Sequence, residues 1–81
     1  MIIRGHSDNQ RFKGYSQTES DELNQELSEN RATSVKKALF AKGIANNYMK
    51  TKGYGYKRPL VKGNNENAWA KNRRVEIEVK Q

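Results

Sequence analysis

Cysteine is absent from the chain, proline, histidine and tryptophan occur once each, and hydrophobic residues fill only 33% of the 81 positions. Each shortage excludes something. Without cysteine there is no disulfide framework and no thiolate metal site, and the redox compartment stays open on that ground. With His6 as the single histidine, a histidine-based metal centre is not expected. No run approaches the ~18 apolar residues of a membrane span, and no apolar signal segment opens the chain. If the protein works outside the cytoplasm, an exporting segment is expected upstream. A domain this small buries only about 60–65% of the surface its unfolded chain exposes, so its core is thin. The apolar residues are nonetheless periodic, and residues 1–81 read as one folded domain without internal repeats.

Charge is present in quantity but unevenly placed. Residues 1–31 carry four Lys/Arg against six Asp/Glu, and residues 32–81 carry twelve against three, for a formal total of +7. A basic half of this kind suits a nucleic acid, an anionic membrane surface or a carboxylate-rich polymer. A solvated lysine-rich surface accounts for it equally well.

Met1 to Asp8 begins as a short strand and ends in a polar turn. Residues 9–20 hold no aliphatic side chain and read as an exposed loop with Phe12 and Tyr15 on its surface. A helix is expected from near Asp21, capped by Ser20 or Asp21, with Glu22 and Glu26 at its positive end and Lys36, Lys37 and Lys42 at the other. Gly43 supplies the left-handed position that ends it, and Ile44 can staple that end to the core. Tyr48 to Tyr54 is a candidate second strand, giving a parallel βαβ unit. Residues 56–66 form a loop, Glu66 to Lys71 a short helix, and Trp69 is expected at the core edge. Arg74 to Lys80 alternates without a fault, which predicts one face buried under the helix, one charged face and an antiparallel neighbour.

Within the long helix one residue is out of place. Leu23, Leu27, Val35, Ala38 and Leu39 share a face, and Arg31 lies near the middle of it. A guanidinium cannot be deprotonated in a protein, and burying it unpartnered is costly. Either Arg31 snorkels out past its neighbours or it is held for an anion; an ion pair with Asp8 is a third arrangement.

Four pieces occur in order: Gly5-His6-Ser7-Asp8, Asn24-x-x-Leu27-Ser28-x-x-Arg31-Ala32-x-x-Val35, Gly53-Tyr54-Gly55 with Pro59, and Asn72-Arg73-Arg74-Val75-Glu76-Ile77. The set resembles the OmpA-like peptidoglycan-associated domain of outer-membrane protein A tails, Pal lipoproteins and flagellar MotB stators. The run Ala68 to Arg74 looks most like the Pal and MotB branches. The resemblance implies an α+β fold, a two-layer α/β sandwich with a βαβ(α)β core, a mixed sheet and helices on one face. Against the family's β-α-β-α-β-β order, the chain matches from the second strand onward and lacks the first strand and first helix. Strand 74–80 would then be an open edge, suited to a homodimer or strand exchange.

The same resemblance implies noncovalent binding of the meso-diaminopimelate in the peptidoglycan stem, anchoring an outer-membrane or envelope protein from the periplasm. Asp8 corresponds to the family aspartate that meets the ligand's cationic or amide end, and Arg31 to the arginine that grips its carboxylate. Asn24 and Arg73 match further contact positions, and Ser7 stands where threonine is common. The chemistry is reasonable by itself: a zwitterionic centre needs a fixed anion and a fork-shaped cation, and arginine offers two parallel donors where lysine cannot. A stator-type wall anchor is the neighbouring alternative. Nucleic-acid binding is the distant one, because no helix-turn-helix, RNP-like aromatic pair or zinc signature is present. Catalysis is not expected, and neither is a cofactor or metal. Wall hydrolysis would need a zinc, a Cys-His pair or two carboxylates across a cleft, and the immediate neighbours His6, Ser7 and Asp8 cannot adopt a relay geometry.

Overall fold

The long helix begins earlier than its acidic cluster implies. In the computed structural model, which describes residues 1–79, α1 runs Gln17–Ala41. Ser16 is its N-cap: the Ser16 hydroxyl accepts from the Glu19 amide at 3.2 Å, and the Glu19 carboxylate accepts from the Ser16 amide at 3.0 Å. This reciprocal capping box satisfies two of the donors that a helix start leaves open. Ser20, expected as a cap, is instead fully buried and accepts the Phe12 amide at 3.1 Å. Residues 17–20 are therefore helix, not loop. At the other end, Gly43 at φ 103° donates to Phe40 and Ile44 donates to Leu39, a Schellman stop.

Three strands follow from the chain order, β1 (Ile2–Gly5), β2 (Lys50–Gly53) and β3 (Val75–Glu78). A short 3-10 turn at Asn46–Tyr48 takes the front of the expected second strand, and α2 spans Glu66–Asn72, capped by Asn65. β1 is central, parallel to β2 and antiparallel to β3, with Gly5 opposite both Gly53 and Val75. The fold is α+β with a mixed sheet, as expected.

The face by which α1 meets the sheet is not the leucine face. Its buried residues are Ser20, Asn24, Ser28 and Ala32, one line at four-residue spacing, while Leu27 and Ala38 are exposed. The line is small because the helix sits on glycine. A Cβ on Gly5 would overlap the Ser28 carbonyl oxygen, and one on Gly53 would lie 2.7 Å from the Ser28 hydroxyl. That hydroxyl accepts the Gly55 amide at 2.8 Å and donates to the Gln25 carbonyl at 2.7 Å. Ile3, Ala32 and Met49 form the buried cluster beside this seam, with Met1, Val35, Leu39, Ile44 and Val75 packed around it.

On the open side of the sheet the alternation of the last strand holds. Arg4 donates to Glu78 at 2.8 Å and Arg74 to Glu76 at 2.7 Å. The apolar side does not match the expectation: Ile77 and Val79 are about half exposed (49% and 56%), because α1 packs over β1 and β2 and barely reaches β3. β3 is an edge of the sheet among the described residues, and Lys80 lies outside them.

Candidate functional site

At the carboxyl end of β1 the chain leaves the sheet without losing its partners. The His6 amide donates to Arg74, the Ser7 amide to Gly55, and the Gly5 carbonyl accepts from Tyr54. Residues 6–8 are consequently held and buried, with Asp8 only 6% exposed. An ionised carboxylate at such depth needs partners. Asp8 has two: Oδ1 accepts the Gln10 amide at 3.0 Å, and Oδ2 accepts Arg73 Nη1 at 3.0 Å. The second guanidinium nitrogen of Arg73 donates to Glu66 at 2.7 Å. Glu66 and Asp8 together hold the Arg73 pKa above its ordinary value against some desolvation.

Arg31 reaches the same strand end from α1. It flanks the small-residue seam of α1 and does not lie within an apolar stripe, and its Nη1 donates to the His6 carbonyl at 2.9 Å. Its other donors remain available, since a guanidinium carries five N–H groups. The ion pair between Asp8 and Arg31 considered from sequence does not form, because Arg73 takes that place. Arg73 is correspondingly no bare surface arginine; two carboxylates fix it. Among the described residues Arg31 has no ion pair.

Asp8, Ser7, Asn24, Arg31 and Arg73 all line one cleft of about 170 Å³, together with Gln10, Phe12 and Leu27. The five positions singled out from sequence are thus brought together. Asn24 is buried and donates to the Gln10 carbonyl at 3.3 Å, which ties the loop after Asp8 to α1. Phe12 is half-buried at the rim, edge-on to Tyr15 at 6.3 Å between centroids. Arg74 points away, as the alternation predicts, toward Glu76 and the Arg58 carbonyl.

Several contributors were not visible beforehand. Trp69 is half-buried and donates to Asn9 at 2.8 Å rather than packing in the core cluster, and Asn9 in turn donates to Asn64 at 2.7 Å. Buried Asn72 organises the loop before α2 through Leu60 and Val61. The signal for Asn72 stood in the Asn72-Arg73-Arg74 run; for Asn9 and Gln10 no sequence signal existed. His6 is 1% exposed and stacked on Tyr54 at 5.4 Å, its Nε2 lying 3.5 Å from Glu76 without a hydrogen bond. Burial and then the charge of Arg74 lower its pKa, with Glu76 opposing.

Comparison with known proteins places these features. The peptidoglycan-associated lipoprotein of Buchnera aphidicola subsp. Baizongia pistaciae is 38% identical over 77 residues, which is 95% of this chain and 40% of that protein. The crystal structure of the peptidoglycan-associated lipoprotein from Burkholderia pseudomallei superposes with a TM-score of 0.77 at 29% identity, covering 93% of this chain and 57% of that one. The C-terminal domain of Helicobacter pylori MotB does so at 0.72 and 30%, covering 93% and 54%. The chain spans about two-fifths of the length of the curated relatives it matches. Residues 1–73 match the OmpA family, and the chain belongs to it.

Proposed function

We propose that the chain binds peptidoglycan noncovalently, gripping the diaminopimelate of the stem peptide in the cleft between Asp8 and Arg31, and so anchors an envelope protein to the cell wall in the periplasm. The observation that carries this reading is the asymmetry of the cleft's charges. Asp8 is already paired with Arg73, while the half-buried Arg31, which lines the same cleft from α1, has no carboxylate among the described residues. The missing anion is then supplied from outside. A ligand carboxylate can take the free fork of Arg31, and the spare lone pairs of Asp8 can receive the ligand's ammonium or amide N–H. Asn24 and Ser7 offer further polar contacts on the walls. No bond is made or broken in this scheme, so the role is that of a tether, not an enzyme. The similar lipoproteins are named for association with peptidoglycan, which supports the same ligand. A stator-type anchor is the second reading, supported by the likeness to the MotB domain.

Cosedimentation with isolated cell-wall sacculi tests the proposal. Asp8→Ala and Arg31→Ala are expected to abolish cosedimentation while each retains a cooperative melt. If both variants still sediment with the wall like the parent, the cleft is not the site.

A further inference from the structure

Three cations gather round one aromatic ring on the face of the sheet turned away from α1. Ile3 and Gly5 serve the helix side, in the buried cluster and against Ser28, so Arg4 between them points to the open side. The parallel register sets Lys52 beside Arg4, and Tyr54, two residues further on, shares their face. The Tyr54 amide donates to the Gly5 carbonyl at 3.1 Å, which carries the ladder past the end of β2. Arg58 returns over this ring: its guanidinium carbon lies 4.3 Å from the Tyr54 centroid, and Lys52 Nζ lies 5.9 Å from it. The parts are held in place. Tyr54 is stacked on buried His6 with centroids 5.4 Å apart, and the Arg58 carbonyl accepts from Arg74 at 3.0 Å. Arg4, acting on the Tyr54 hydroxyl, lowers the phenol pKa against some desolvation, and Lys52 and Arg58 add to the effect. None of Arg4, Lys52, Tyr54 and Arg58 lines the cleft of Asp8 and Arg31.

Like charges on neighbouring strands work against a sheet, and only part of this charge is answered. Arg4 has Glu78, and Glu76 on the same face is taken by Arg74. Lys52 and Arg58 have no ion pair among the described residues. The ring attracts both cations but has no net charge with which to neutralise them. Arg4, Lys52 and Arg58 against Glu78 alone leave two positive charges beside one hydroxyl. A carboxylate would answer one of them. A phosphate monoester carries about 1.5 to 2 negative charges at neutral pH and three acceptor oxygens, which suits both the charge and the number of cations. We infer that Arg4, Lys52, Arg58 and the Tyr54 hydroxyl form a second anion site, which takes the phosphate monoester group of a soluble ester or of a lipid headgroup.

Titration of the isotopically labelled chain with inorganic phosphate and with glycerol 3-phosphate, against chloride at matched ionic strength, tests this through amide chemical shifts. Both phosphates are expected to give saturable shifts centred on Arg4, Lys52, Tyr54 and Arg58, and chloride none that saturate. Lys52→Gln and Arg58→Gln, both at exposed positions, are each expected to weaken phosphate binding by about threefold or more. Tyr54→Phe, which keeps the stack on His6, is expected to weaken it by a similar factor. Lys37→Gln, which removes an exposed cation of α1, is expected to leave it unchanged. Vesicles then identify the source. Cosedimentation with phosphatidylcholine vesicles that contain phosphatidate, absent with phosphatidylcholine alone and lost in Lys52→Gln, assigns the site to a lipid headgroup. Saturable glycerol 3-phosphate binding without cosedimentation assigns it to a soluble ester. Shifts that follow ionic strength alike for phosphate and chloride overturn the inference, and so does saturable binding centred on Arg31 and Arg73. Parental affinity in both Lys52→Gln and Arg58→Gln overturns it as well.

Discussion

Replacing Asn72 with alanine should loosen the loop of Leu60 and Val61. The side chain makes three hydrogen bonds, all to the backbone of Leu60 and Val61. Each such bond contributes about 0.5–1.5 kcal/mol net. Leu60 is 62% exposed, so its freed amide regains water and the penalty for an orphaned buried group does not apply in full. The lower half of the range is therefore the better guide, about 1.5–3 kcal/mol for the three bonds. At about 4–8 °C per kcal/mol for a domain of this size, the midpoint should fall by roughly 6–24 °C. Thermal melting followed by circular dichroism measures the global part. Native-state hydrogen exchange measures the local part, and protection at Leu60 and Val61 should drop by at least about tenfold, the equivalent of 1.4 kcal/mol. If Leu60 and Val61 exchange as slowly as in the parent and the midpoint moves by less than about 2 °C, Asn72 does not organise the loop.

Two further outcomes test the scaffold. Gly5→Ala places a methyl group on the Ser28 carbonyl, a backbone atom that cannot swing aside, so β1 and α1 have to part; overpacking of this kind costs about 1–3 kcal/mol, and a parental melting curve would mean that the helix seats elsewhere. His6 gives a pH dependence. Its folded pKa is lowered, chiefly by burial, so the unfolded chain binds the proton more readily. Stability is then complete above about pH 6.5, the ordinary imidazole value, and is lost as pH falls from there toward the folded pKa. Glu76, Arg74, Tyr54 and Arg58 are the charged or titratable groups around the ring, and Glu76, whose own pKa is lowered chiefly by its bond to Arg74, titrates below this window. The parent should melt lower at pH 5.5 than at pH 7.5, while His6→Phe, which keeps the stack on Tyr54, should flatten the difference; a parental curve that does not move between those pH values removes the argument.

How much of this was legible in the chain depended on whether the information was local. The Schellman stop at Gly43, the short helix around Ala68 and the charged side of the last strand follow from neighbouring residues alone, and they are where the sequence places them. The capping box at Ser16 and Glu19 was equally local, but the denser acidic cluster at Asp21 and Glu22 masked it. The seam of Ser20, Asn24, Ser28 and Ala32 was hidden for a different reason. A hydrophobic periodicity finds large apolar side chains, whereas the front of this helix packs through small ones, and the benefit appears only once Gly5 and Gly53 are paired across two strands. Alternation in the last strand likewise says which residues share a face and nothing about what covers Ile77 and Val79.

The site divides along the same line. Ordered motifs name Ser7, Asp8, Asn24, Arg31 and Arg73, but which guanidinium answers Asp8 is a matter of tertiary reach. Two arginines compete for one buried carboxylate, and the outcome is set by α2: its first-turn residue Glu66 pulls Arg73 from one side while Asp8 holds it from the other. Had Arg31 taken Asp8 instead, the cleft would hold a closed pair with no call for an outside anion, and a ligand would first have to break it, at the cost of exposing a buried charge. With Arg73 committed to Asp8 and Glu66, Arg31 is steadied by the His6 carbonyl and lines the cleft without an ion pair among the described residues. On the proposed reading, this fixed but unanswered charge is what the ligand's carboxylate meets. In this chain it is produced by a second arginine placed forty-two residues further on, at the C-cap of a two-turn helix.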